Sequence, residues 1–470
     1  MTASADLPQA SVEQFGYRQE LKRSLGFGDL LVYGLIFMVP IAPFGIFGSV
    51  FQASGGMVAL AYVIGMVAMA FTALSYAQMS RAFPVAGSVY TYAGRGLHPT
   101  VGFLAGWQIL LDYVLVPALL YIVAAAAMHS FVPGLPVWSW IVIFVLANTA
   151  VNFFGIELTA RVNRLMLLGE LVVLAIFIVC AVVAIAHGRG DGWSFRPLYD
   201  SSTFSVGVAF SAVSVAVLSF LGFDGISTLS EENRDSAAQI GRATVAALVV
   251  AGTLFIVQTW LAALLVPDRA GLIANGDPAG SAFYDTAEFA TAHWLSVLTA
   301  VATAIAWGFA NALVAQAATS RLLFSMARDR VLPGILARIH PVRRVPENAT
   351  FLVGAVSMAV GVWLATRDDG ITVLSTLVNF GALTAFLALH AAVIGHFLIR
   401  ERSRDWWRHL VVPVCGLVII FYVVVKANVA AQRVGLIWLA VGVVVAVARW
   451  YTGRRLPDVS TVDSPVEERA

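Results

Sequence analysis

Long apolar runs separated by short polar junctions make up nearly the whole chain. An α-helix rises about 1.5 Å per residue, so about 20 apolar residues cross the hydrocarbon core of a bilayer. By that measure the pattern predicts twelve membrane-spanning helices, at residues 27–51, 57–80, 99–128, 136–154, 164–187, 203–229, 242–266, 290–318, 348–366, 371–399, 410–427 and 433–450. Short loops join most of them, and no water-soluble domain interrupts them. Residues 1–26 are polar. The next apolar run is longer than the about 7–15 residues of a signal-peptide core, so it reads as a first span rather than a cleaved leader.

Two of the spans carry residues that oppose a helix near bilayer depth. The first reads FMVPIAPFGIFG, with Pro40, Pro43, Gly45 and Gly48. The sixth reads VLSFLGFDGISTLSEEN, with Gly222, Asp224 and Gly225. Proline removes a backbone donor and clashes with the preceding turn. Glycine lets the chain leave helical geometry. Unwound backbone at that depth is tolerated only where protein or a water-filled cavity satisfies it. Two interruptions at corresponding places, five spans apart, are the mark of a transporter binding site between inverted repeats. Simple kinks in two ordinary helices are the plainer reading, but the matching positions and an acid in the second break weigh against it.

Composition agrees with the span count. Of 470 residues, 59% are hydrophobic and 12% charged. A soluble domain carries about 25% charged residues. The net charge of +2 says little by itself, but its distribution is informative. With both termini placed in the cytoplasm, 23 of the 29 Lys and Arg fall on the inner side and 6 on the outer. That bias supports both the topology and the even number of spans. Basic residues are not interleaved with aromatics, so nucleic acid is not an expected partner. Cys180 and Cys415 lie in apolar runs and are too few for a disulfide framework.

An acid inside a membrane span costs about 2.5–3.5 kcal/mol on insertion scales, so each one asks for a reason. Asp224 sits in the second break, where it can receive an ammonium group, exchange a proton, or accept hydrogen bonds from amides freed by the break. Glu170 lies in the fifth span; it is either a neutral acid bonded to a neighbouring helix or the proton site of a coupled carrier. Asp112, in WQILLDYVLVP, serves packing or substrate contact equally well. Glu231 and Glu232 end the sixth span and suit a solvated face or a gate ion pair with inner arginines. His390 and His396 are six apart and share no helix face, so they read as core or interfacial residues. Gly102 to Gly106 (GFLAG) is a helix-packing motif. Phosphate-binding, hydrolase and paired-cysteine zinc motifs are absent, and no enzyme activity, cofactor or metal is expected.

Several ordered motifs resemble one family. The run SFLGFDGISTLSEEN (219–233) is similar to the broken sixth helix of the amino acid–polyamine–organocation superfamily. FPVAGSVYTYAGRGLHPTVGFLAGW (83–107) resembles its signature between helices two and three. SRLLFSMARDRVLP (320–333) resembles the segment after helix eight, and LVNFGALTAFL (377–387) resembles helix ten. The likeness runs over about residues 24–450 and is strongest toward the bacterial putrescine importers. It implies an all-α membrane fold of the leucine-transporter type: a five-plus-five inverted repeat plus two helices, with helices one and six interrupted. It also implies a substrate site among helices one, three, six, eight and ten. The matching positions are Ile41, Ala42, Pro43, Phe44 and Gly45 in helix one, Ser219, Phe220, Phe223 and Asp224 in helix six, and Asn311 in helix eight.

Two departures from that branch stand out. Putrescine importers carry an Asp in the helix-one break, where this chain has Gly45. A diamine suits two carboxylates, whereas an amino acid carboxylate suits a bare half-helix N-terminus. The resemblance therefore favours a polyamine and the local chemistry an amino acid. Glu170 stands where some proton-coupled relatives have Lys and the putrescine importers an uncharged residue.

The expected organisation is a cytoplasmic tail (1–26), a first five-helix repeat (27–187), a second (203–399), an appended helix pair (410–450) and a disordered cytoplasmic tail (453–470). The expected function is import of an amino acid or a polyamine such as putrescine, by alternating access and coupled to protons, in a bacterial inner membrane. Asp224 would bind the ammonium, Phe220 and Phe223 would wall the site, and Glu170 and Asp224 are the coupling candidates. The protein would act as a monomer or homodimer. The alternatives are an amine exchanger with the same site, or a receptor or channel without coupled transport.

Overall fold

A computed structural model describes residues 12–277, 280–367, 370–426 and 429–451. The expected tail at 453–470 and the first part of the tail at 1–26 lie outside the described residues. The described chain is helical; its one strand-like pairing is an isolated bridge between Leu25 and Asn233. In order, the helices are α1 (Phe27–Met38), α2 (Pro43–Ala53), α3 (Val58–Ala82), α4 (Ser88–Gly96), α5 (Pro99–Phe131), α6 (Val137–Phe154) and α7 (Ile156–Ala186). Then come α8 (Val206–Ala216), α9 (Ala238–Leu264), α10 (Arg269–Asn275), α11 (Ala282–Ala290), α12 (His293–Ile305) and α13 (Ala312–Arg328). The last four are α14 (Glu347–Leu364), α15 (Gly370–Val393), α16 (Val412–Lys426) and α17 (Val429–Tyr451). Tight 3₁₀ turns at Val217–Phe220 and Phe223–Glu232 continue α8, and a π-helical turn at Ala306–Asn311 joins α12 to α13.

Ten of the described helical rods are long and apolar enough to cross a bilayer, and two bent pairs bring the number to twelve when each pair is one span. Their positions match the predicted spans. The short helices α4, α10 and α11 were not predicted, because each lies in a connection and is too short to leave an apolar period. Local chemistry sets several starts. Pro99 opens α5 at a position where its missing donor costs nothing, and the His98 ring accepts from the Thr100 amide at 3.2 Å. The Ser205 hydroxyl caps α8 by accepting from the Val208 amide at 3.1 Å. In the bundle α3 packs along α9, and α5 along α15.

The chain bends by 53° between α1 and α2, and by 42° where α8 passes into the 3₁₀ segment. In the first bend Pro40 and Pro43 have no N–H to give. Val39 donates instead to Ile36 O at 3.3 Å, and Ala42 to Val39 O at 2.8 Å. The rerouting holds Val39, a β-branched residue, at φ 54°, a strained position for such a side chain. In the second bend Gly222 takes φ 115°. A Cβ there would stand 2.8 Å from the Phe37 ring, so only glycine fits both the angle and the space. The two bends therefore touch each other. Gln258 of α9 donates to Pro40 O at 2.9 Å, which satisfies a carbonyl of the first bend, and Tyr33 of α1 donates to Val314 O of α13 at 3.0 Å.

The end of the bundle that carries the N-terminal segment is closed by ion pairs. Arg321 holds Glu232 through two bonds of 2.5 and 2.8 Å, and Arg328 holds Glu231 through two of 3.0 and 2.8 Å. Both carboxylates are fully buried. Glu231 also accepts from the Ala86 amide at 3.0 Å. Tyr17 lies under the Arg328 guanidinium, 3.8 Å from ring centre to carbon, and donates to Asp329 at 2.9 Å. Burial, with Asp329 beside it, pushes the Tyr17 hydroxyl up to about 12, so it remains a donor. Of the two readings of Glu231 and Glu232 open from the sequence, the structure has the ion pair.

Removing one partner of a buried pair leaves an uncompensated charge, at a cost of about 3–5 kcal/mol, whereas a well-packed apolar replacement of both is near neutral. Arg321→Ala is expected to lower the melting temperature of the detergent-solubilised protein sharply. The double change Arg321→Met with Glu232→Leu is expected to recover most of the loss. Equal losses for the single and double variants would show that the pair does not act as a unit.

Candidate functional site

A cavity of about 60 Å³ lies where the two bends face each other. Phe37, Met38, Ala42 and Ile46 come from the first bend, and Leu218, Ser219, Leu221 and Gly222 from the second. Helix α5 gives Asp112, Val116, Leu119 and Leu120, which share one face at the spacing of successive turns. Trp307 and Asn311 come from the π-helical turn, and Val378 from α15. Irregular π turns are frequent at functional sites because they re-aim side chains at a rod's surface.

The wall is apolar with a few polar groups. The Ser219 hydroxyl is paired with that of Tyr62 at 3.1 Å. Asn311 Oδ1 and Trp307 Nε1 are buried without a hydrogen-bond partner among the described residues. Asp112 is 5% exposed, and no hydrogen bond or ion pair to its carboxylate occurs among the described residues. Lysine, arginine and histidine are absent from the described lining.

Of the residues singled out in the sequence, Ala42, Ser219 and Asn311 line the cavity. Gly45 sits behind Trp307: a Cβ there would come within 3.0 Å of the indole. Ile41 is fully buried and does not line the cavity. Pro43 starts α2, and Phe44 stacks on Phe283 of α11 with ring centres 3.9 Å apart, beyond the cavity. Phe220 packs with Tyr62 and Phe255, and Phe223 with Tyr76 and Phe386. Both rings are fully buried in helix contacts, not in the cavity wall.

Asp224 is 1% exposed and stands one residue away from the cavity. Its carboxylate accepts from the Tyr113 hydroxyl at 2.7 Å. The amides of Gly222 and Asp224 and the Tyr76 hydroxyl also face it. It lies in the first turn of the Phe223–Glu232 segment, where the positive end of the backbone dipole favours an anion. Glu170 is elsewhere. It lines a separate apolar groove between α7 and α12 of about 260 Å³, and neither carboxyl oxygen has a partner among the described residues.

Sequence reading left out Trp307 and most of the apolar lining, along with Tyr113 beside the cavity; for Asp112 it left packing and substrate contact open, and the structure turns it to the cavity. The signal for Asp112 was present, since an acid inside a span is rare, but its facing direction depends on how α5 is rotated against its neighbours. His390 is held by Thr72 and Ser75 at 3.2 and 3.0 Å, as a core histidine is. Among the described residues no three His, Cys, Asp or Glu converge as a metal site would require.

Comparison with known proteins agrees with this geometry. The amino acid permease family model matches residues 30–453. The chain is similar to the low-affinity putrescine importer PlaP of Escherichia coli (strain K12), with 33% identity over 91% of this chain and 93% of that one. It is 26% identical to the branched-chain amino acid permease BcaP of Bacillus subtilis (strain 168), over 91% of this chain and 93% of the relative. It is 27% identical to the methylthioribose transporter of the same organism, again over 91% of this chain and 93% of the relative.

A hydrogen bond to a charged group contributes about 1.5–3 kcal/mol. Tyr113→Phe and Asp224→Asn are each expected to lower thermal stability, and the double variant to lose less than the sum of the two, because each removes the same bond. Strictly additive losses in the melting temperature would mean that Tyr113 does not hold Asp224.

Proposed function

This chain belongs to the amino acid permease family, and from that premise we propose that it is a secondary active importer of an amine-bearing small solute, an amino acid or a polyamine such as putrescine. That it is a multi-pass membrane transporter and not an enzyme follows from the family. The observation that carries the finer reading is the cavity framed by two bent spans, the first and the sixth, with acceptor groups left free in its wall.

The proposed architecture is two inverted five-helix repeats, 27–187 and 203–399, with the pair 410–450 appended. Its support is the five-span separation of the bends. Alternating access then has two ends to open in turn. At one end stand the Arg321–Glu232 and Arg328–Glu231 pairs. At the other, Phe44 and Phe47 of α2 pack on Phe283 of α11. The excess of Lys and Arg on one side supports a cytoplasmic position for both termini, in a bacterial plasma membrane.

Coupling to protons needs an acid that gains and loses a proton during the cycle. Glu170 has the required isolation, with two unpartnered oxygens in an apolar groove that borders the π-helical turn at Ala306. Proton binding there would act on the rod that carries Trp307 and Asn311. Asp224 supports the site through Tyr113 and the backbone of the bend.

In proteoliposomes, an inward proton gradient is expected to drive accumulation of radiolabelled amine, and a protonophore to abolish it. Glu170→Gln is expected to remove gradient-driven accumulation while leaving counterflow across preloaded vesicles. Uphill uptake that survives the protonophore but requires internal amine would make the protein an exchanger instead.

A further inference from the structure

We propose that Asp112 is the counter-ion of the transported cation and that the substrate is an amine without a carboxylate; this rests on the transport reading above. The inference comes from which helix ends at the cavity are still available.

Two half-helices present their C-terminal ends to the cavity: α1, ending at Met38, and the Val217–Phe220 turn. Those ends carry partial negative charge. The carbonyls of Phe37 and Met38 accept no hydrogen bond among the described residues, because Ala42 donates to Val39 O instead. Two other half-helices begin beside the cavity, and their N-terminal ends would ordinarily hold an anion. Neither is open. At α2, Pro40 and Pro43 have no N–H, and the amides of Phe44 and Gly45 donate to Ile41 O and Ala42 O at 3.0 and 3.2 Å. The bare terminus that Gly45 suggested in the sequence is therefore occupied by the chain's own carbonyls. At the Phe223–Glu232 segment the anion position is filled by the chain's own Asp224, fixed by Tyr113. A substrate carboxylate would find the amides of Phe44 and Gly45 spent at one end, with only that of Ile41, which does not line the cavity, lacking an acceptor among the described residues, and a carboxylate at the other.

A cation meets the opposite. Asp112 lies in the cavity wall with no basic partner in the described lining, and Asn311 Oδ1 is a second acceptor without a donor. A buried acid left unpaired in a low-dielectric wall is costly to ionise, and an ammonium group supplies both the charge and the donors that stabilise its ionised form. The apolar remainder of the wall suits a methylene chain. Asp112 and Asp224 thus divide the work: Asp224 completes the fold of the bend, and Asp112 faces the solute.

Putrescine and ornithine differ by one carboxylate and separate the possibilities. The full chain, purified in detergent, is assayed for thermal stabilisation by putrescine, ornithine and leucine, since a ligand that binds the folded state raises its melting temperature. Putrescine is expected to stabilise, and ornithine and leucine to fall at least tenfold short in affinity. Asp112→Asn is expected to lose putrescine binding by tenfold or more. Asn311→Leu, which leaves no buried charge unpaired, is expected to weaken it several-fold and serves where Asp112→Asn does not fold. Stabilisation by ornithine or leucine equal to that by putrescine overturns the carboxylate-free substrate. Full putrescine affinity in Asp112→Asn, or in Asn311→Leu where that variant alone folds, overturns the counter-ion. No stabilisation by any of the three, together with no uptake of them, overturns the transport reading itself.

Discussion

Inside a bilayer each backbone N–H and C=O must find a partner within the protein, and the rest of this structure depends on how that demand is met at two bends. Straight spans meet it automatically, because every group bonds within its own helix. At Val39–Ala42 and at Leu221–Gly222 the regular bonding stops. Proline supplies the first interruption by withholding donors, and glycine the second by taking φ 115°. Neighbouring groups repair both breaks. Gln258 reaches Pro40 O, Asp224 takes the Tyr113 hydroxyl beside the second bend, and Phe37 fills the space beside Gly222 that a side chain would need. The carbonyls of Phe37 and Met38, left without a donor among the described residues, border one cavity.

The ion pairs at the N-terminal end show a second consequence of low dielectric. Glu231 and Glu232 are costly to bury, so each is matched by an arginine in a two-bond grip, and the grip ties the second bent span to α13. Tyr17 and Gln19 of the N-terminal segment lean on the same cluster: Tyr17 lies against Arg328, and Gln19 donates to Glu231 O at 2.9 Å. Such pairs are strong only while water is excluded. A change that lets water reach them weakens their attraction and lowers the cost of separating the charges at the same time.

The spans were legible because bilayer thickness dictates apolar length, and the bends because Pro and Gly act locally whatever their neighbours do. The roles of the acids were not legible. Asp224 is marked in the sequence by the glycines on either side of it and Asp112 by nothing local, yet neither pattern says which acid faces the cavity. Two features separate them: Tyr113, 111 positions before Asp224, points its hydroxyl at one of them, and α5 is rotated to turn the other toward the cavity. Phe220 and Phe223 read as a site wall from their place beside the bend, yet the tight 3₁₀ turns on either side of Gly222 set them against Phe255 and Phe386. The π-helical turn at Ala306–Asn311 leaves no composition signal, since it is one extra residue in an ordinary apolar run.

The winding defects also explain why so few side chains suffice to make a site. The bends set four half-helix ends at the cavity, and the chain fills the two positive ones with its own groups. Electrostatic preference is then built into backbone direction before any side chain is chosen. Asp112 and Asn311 sharpen a bias that the backbone already has. A fold that fixes helix ends and leaves their occupants to a few residues can change solute by filling or baring an end. In this chain Pro43 and Asp224 do the filling, and the negative ends stay open toward the cavity.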